Sequence, residues 1–150
     1  AEHPAVATSY SNLGVVYDNQ GDYPRALECH QKALAIRQQV YGADHPAVAT
    51  SYNNLGAVYD NQGDYPHALE YYNKALAIRL RVFGEEHQNV ALLYNNIAVV
   101  YFNQGDYPRA LKYIQKALTI LQQVLDANHP TVIEYQQNLE FVRQKLQEAK

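Results

Sequence analysis

One hexapeptide limits what this chain can fold into. Asn19-Gln20-Gly21-Asp22-Tyr23-Pro24 returns at residues 61–66 and again at 103–108, each time 42 positions later. His3, His45, His87 and His129 keep the same period. Residues 3–44 and 45–86 differ at 11 positions and are identical at the other 31 of 42. An internal period of this size is the signature of a repeat array, in which each unit adds one layer to the core.

The content of one unit predicts a helical hairpin. Residues 4–20 read as a helix, with Pro4 at its first position and His3 as a mediocre cap. Val6, Tyr10, Leu13 and Tyr17 lie 4, 3 and 4 residues apart and share one apolar face. Asn19 to Asp22 is the turn, where Gly21 is free to take a positive φ. Asp22 is the next N-cap, and Pro24 sits in the first turn beyond it. The second helix runs to about Tyr41 with Ala26, Leu27, His30, Ala33, Leu34, Arg37 and Val40 on its inner face. Gly42 ends it, and a loop through His45-Pro46 opens the next unit.

Three such units occupy residues 3–44, 45–86 and 87–128, with Gln88 and Ala98 as helix-compatible departures in the third. Residues 129–150 begin a fourth and stop after one helix. There Gln136, Glu140 and Arg143 stand where the earlier helices carry an aromatic, a small residue and a tyrosine. Val132, Tyr135, Leu139, Val142 and Leu146 keep an apolar stripe. A helix with one apolar and one polar face suits the end of a stack. The expectation is seven helices, no strands and a single domain over residues 1–150. With no methionine in the chain, Ala1 reads as a point inside a longer array or as the start of a chain trimmed to whole repeats.

Composition removes several function classes. A net charge of −3 and a pI near 6.0 argue against a nucleic-acid binder, which clusters Lys and Arg against phosphates. Cys29 is the single cysteine, so no disulfide framework is available. That fits a reducing compartment, and a cytoplasmic location is expected. Neither a signal peptide nor an apolar run of membrane-spanning length is visible, so no membrane role is expected.

The unit resembles the tetratricopeptide repeat (TPR), in the long form of the kinesin light chain type. The family pattern has a bulky aromatic, Leu-Gly three residues on, then Tyr, with small residues on the second helix. Here the pattern reads Tyr10, Leu13-Gly14, Tyr17, Ala26 and Ala33, then Tyr52, Leu55-Gly56, Tyr59, Ala68 and Ala75. The third unit has Tyr94, Ile97-Ala98, Tyr101, Ala110 and Ala117. The usual unit has about 34 residues, so the second helix should be longer here, and a Gly-x-x-His loop replaces the usual late proline. The resemblance implies an all-α solenoid of three antiparallel helix-turn-helix repeats plus a C-terminal capping helix. It also implies a right-handed superhelix with the first helices on the concave face.

Taken with that placement, the first helices offer amides. Outward positions include Thr8, Ser11, Asn12, Val15 and Asp18 in the first unit, with Asn53, Asn54 and Asp60 in the second and Asn95 and Asn96 in the third. No Lys or Arg lies on these three helices. An asparagine donates and accepts at once, so Asn12, Asn54 and Asn96 suit the backbone of an extended peptide. Asn53, Asn95, Asp18 and Asp60 lie beside them. The alternative is that these amides bond to neighbouring helices or face water. Peptide-binding relatives use an asparagine at the matching place. Relatives that clamp a terminal carboxylate use a lysine where this chain has Ser11, Asn53 and Asn95, which implies weak or no binding of acidic C-terminal tails.

The expected function is a non-enzymatic protein-interaction module that binds an extended peptide or partner helix in the concave groove. No nucleophile–base pair, phosphate loop or metal cluster is visible, and no cofactor is expected. Equivalent histidines in successive units lie roughly 10 Å apart, while zinc needs each ligand nitrogen about 2.0–2.1 Å away, so the histidines read as loop and helix-start packing. His30 and His67 read as ordinary surface or interface residues. The alternative function is a structural or self-assembling scaffold. Residues 3–10 are identical to 45–52, whose surface the preceding helix should cover, and at residues 3–10 either a flanking repeat covers it or it is exposed. Val6, Ala7 and Tyr10 are therefore expected to form an apolar edge, through which homo-oligomers would assemble.

Overall fold

The computed structural model describes residues 3–149, and among them the expected seven helices form with no strand. They are α1 (Pro4–Asn19), α2 (Tyr23–Tyr41), α3 (Pro46–Gln62), α4 (Tyr65–Phe83), α5 (Gln88–Asn103), α6 (Tyr107–Val124) and α7 (Pro130–Glu148).

The periodic residues explain the helix boundaries. Each recurring histidine is an N-cap. The Ala5, Ala47 and Asn89 N–H groups donate to the Nδ1 of His3, His45 and His87 at 3.0 Å, and Thr131 N–H to that of His129 at 3.2 Å. For Nδ1 to accept, the ring proton must sit on Nε2, so neutral imidazole does here what an Asn or Ser does elsewhere. Tyr41 stacks on His45 at 4.2 Å and Phe83 on His87 at 4.4 Å between centroids. Asp22, Asp64 and Asp106 cap the second helices by accepting from Arg25, His67 and Arg109 N–H. Gly63 caps α3 with φ of 82°, a left-handed conformation that costs a side chain-bearing residue more.

Contacts divide the chain into two compact units, Ala1–Val82 and Phe83–Lys150. In the first, α1 packs on α2, α2 packs on α3, and α1 touches α3. Ala7, Ala33 and Ile36 form a buried cluster with Tyr10 at its margin. A Cβ at Gly14 would stand 2.6 Å from the His30 ring, and one at Gly56 2.7 Å from Tyr72. Each glycine is therefore the seat of a ring on the following helix. Arg37 donates to Ser51 and Gln38 to Tyr52, which ties α2 to α3.

In the second unit α5 packs on α6 and α6 on α7. Ile114 takes the place of the ring and Ala98 that of the glycine, both buried. Leu121 and Tyr135, both buried, stand in register with Arg37 and Ser51. Helix α7 buries Val132, Tyr135, Leu139 and Val142, while Gln136, Glu140 and Arg143 are exposed.

The inner face of α2 differs from the expected one. Cys29 and Ile36 are buried, Leu27 and Leu34 only partly so, and Val40 is exposed. Helix α2 contacts both α1 and α3, and its buried positions 26, 29, 30, 33, 36 and 37 form a single stripe of 3 and 4 spacing.

Candidate peptide-binding face

Helices α1, α3 and α5 carry the candidate residues, and their sequences contain no basic side chain. Asn12 is exposed, and Asn53, Asn54 and Asp60 are half-buried. In the second unit Asn95 and Asn96 are half-buried. Asp18 is already engaged, because the Asn61 amide donates to both its carboxylate oxygens at 3.0 Å. This bond joins α1 to the end of α3 and leaves further acceptor capacity on the carboxylate.

Lysines of the second helices lie over tyrosine faces instead. Lys32 sits over Tyr10 at 5.4 Å, Lys74 over Tyr71 at 5.1 Å, and Lys116 over Tyr94 at 5.4 Å. Such cation–ring contacts hold charge at a fixed place while it stays hydrated.

Asn138 escaped the sequence reading. It stands one more period beyond Asn96, on α7, and is half-buried. The 42-residue spacing carries the asparagine series onto α7, the capping helix.

Among the described residues, Ser11 Oγ, His30 Nδ1 and Asn95 Oδ1 are buried without a hydrogen-bond partner. Ser11 and Asn95 occupy the same position of the repeat, two periods apart. His30 is almost wholly buried, on the inner face of α2 as expected, and its pKa is lowered. Burial is the main cause, Asp18 opposes it, and Arg37 adds to it. His67 is exposed, with Nδ1 2.7 Å from Asp64 Oδ2.

The apolar edge of α1 is composed differently from the expected one. Ala7 is fully buried and Tyr10 is half-buried against the α1–α2 core, so neither forms that edge. Ala7 faces α2, and adjacent helix residues diverge by about 100°. The exposed residues are Val6, Leu13 and Val16, at 40%, 43% and 48%, whereas Val48, Leu55 and Val58 in the same register of α3 are at 0%.

Comparison with known proteins follows the repeat. A family model described as tetratricopeptide repeat matches residues 5–81, and a second of the same description matches residues 90–131. The chain belongs to the tetratricopeptide-repeat family. Its fold class is accordingly the all-α helical-repeat solenoid. Among solved structures, it is similar to BtubC (BKLC) from P. vanneervenii, with 29% identity and a TM-score of 0.85 over 97% of this chain. This TPR chain spans 59% of that protein's length. It is also similar to the TPR-like repeats of a kinesin-light-chain-like protein from Podosopora anserina. There identity is 23% and the TM-score 0.84, over 97% of this chain and 69% of that one. The N-terminal domain of stress-induced protein-1 from C. elegans shares the fold at 18% identity and a TM-score of 0.63, over 91% and 96% of the two chains. No curated protein matches. TPR repeats generally mediate protein–protein interaction and are generally non-enzymatic. Among the described residues, no helix is long and apolar enough to cross a membrane.

Proposed function

We propose that residues 1–150 act as one TPR domain that holds an extended peptide, or a partner helix, along the faces of α1, α3 and α5. The observation that carries this reading is the recurrence of asparagine at 12, 54 and 96 on helices that carry no Lys or Arg. Amides that donate and accept together can pair with the backbone of a ligand whatever its side chains. Asn53 and Asn95 flank them. Asp18 and Asp60 favour ligand N–H groups or a basic side chain. The test is a double substitution, Asn54→Ala with Asn96→Ala, on a chain whose binding peptide has been selected from a random library. The expected result is unchanged helix content and a loss of affinity. Unchanged affinity sinks the reading.

A second reading has its own observation in the exposure of Val6, Leu13 and Val16. The same register of α3 is covered by α2, so a helix of that kind fits the α1 edge. A second copy of the chain is the proposed occupant, and the role would then be assembly.

A further inference from the structure

The second unit contains a pocket of about 120 Å³ that the asparagine ladder does not account for. Ala98, Phe102, Ile114, Phe141 and Val142 line it, with the amides of Asn95 and Asn138. No lining residue carries a formal charge. Phe102 and Phe141 stand 5.4 Å apart between ring centroids and join α5 to α7. Phe141 is half exposed.

The same register in the first unit shows what the pocket lacks. Moved back two periods, its lining becomes Ser11, Gly14, Asp18, His30, Ala57 and Val58. There the imidazole of His30 lies against Gly14, and Asp18 is bound to Asn61. In the second unit a shorter Ile114 replaces the ring, and an uncharged Phe102 replaces the carboxylate. The second unit thus has an uncharged, apolar pocket in the register where the first has an imidazole and a carboxylate. One polar feature remains at the site. Asn95 Oδ1 is buried without a partner, and an unmade bond of that kind is costly. Rotation about χ2 of an amide is broad and twofold, so an entering N–H donor can reach it.

We propose that this pocket takes one uncharged apolar side chain of a bound peptide, whose backbone N–H is donated to Asn95. The proposal rests on the peptide-binding reading and adds a specificity that the ladder alone does not give. A ligand would be fixed along its backbone by the asparagines and in register by this one anchor. A charged side chain is excluded, because the pocket has no counter-charge to offset its desolvation.

The probe is N-acetyl-L-leucinamide, titrated into the full chain while the methyl signals of Ile114 and Val142 are followed by NMR. A ligand of this size should bind with a Kd on the order of millimolar. The expected result is saturable shifts at those two residues, with N-acetyl-L-lysinamide and N-acetyl-L-aspartamide binding at least tenfold more weakly. Phe141→Ser, an exposed change that spares the core, should weaken the leucine probe at least threefold. Shifts that do not saturate, equal response to the charged probes, or unchanged affinity in Phe141→Ser would each overturn the proposal. The probe needs no ladder. Saturable binding together with peptide affinity that ignores Asn54→Ala/Asn96→Ala would keep the pocket and remove the ladder. The reverse pair of results would remove the pocket alone.

Discussion

The Arg37 guanidinium donates from Nη1 to the Ser51 hydroxyl across 2.8 Å, inside the first unit. Arg37 is 9% exposed, and burial lowers its pKa. A charge held by a neutral hydroxyl is costly to strand and cheap to replace as a pair. Ser51→Ala should therefore destabilise the chain by about 1.5–3 kcal/mol. The pair Arg37→Leu with Ser51→Tyr should be neutral or stabilising, since Leu121 and Tyr135 already occupy that register in the second unit. Urea unfolding of the three proteins measures both.

Gly14 and His30 make a second coupled pair. Gly14→Ala drives a Cβ into the imidazole and should cost about 1–3 kcal/mol. His30→Ile on that background should restore most of the loss, because Ala98 with Ile114 is the pairing found in the third repeat. A double-mutant cycle by thermal unfolding reads the coupling directly. Additive effects would contradict the seating of the ring on the glycine.

His30 also sets a pH dependence. Its folded-state pKa lies below the ordinary value of 6.5, through burial and Arg37 and against Asp18. The unfolded chain then binds the proton more tightly than the folded one. The contribution is fully present above pH 6.5, and it falls as pH drops from 6.5 toward the folded pKa. His30→Tyr, the residue found at Tyr72, should flatten that segment of a stability–pH curve. An unchanged slope would assign the dependence to other groups.

The exposed face of α1 predicts association. Molar mass by light scattering should rise with concentration for the native chain. Val6→Glu with Leu13→Glu should hold it near the 17.0 kDa of the monomer. A mass that climbs in both proteins would place the contact elsewhere.

The helices were legible because each boundary residue recurs. A histidine opens the first helix of each repeat, Gly-Asp-Tyr-Pro links the two helices, and a glycine follows the second helix in the first two repeats. Phase was less legible. Spacing puts Ala7 at the edge and leaves Leu13 and Val16 out of it, since a helix that is apolar on two adjacent sides gives no sign of which side a neighbour covers. Cys29 and Ile36 were missed for the same reason, because α2 contacts two helices. The spacing places His30 on the inner face of α2, and the absent Cβ of Gly14 shows where its ring is seated. The pocket could not be read from spacing at all. It lies where Ile114, Phe102 and Phe141 stand in place of His30, Asp18 and Ala57.

The central claim is that the first-helix asparagines hold a peptide. NMR of the side-chain amides in the full chain, with and without a peptide selected from a random library, tests it most directly. The account predicts shifts at the NH₂ groups of Asn12, Asn54 and Asn96, with little change at Lys32, Lys74 and Lys116. Shifts confined to the second helices, with those three amides silent, would contradict it.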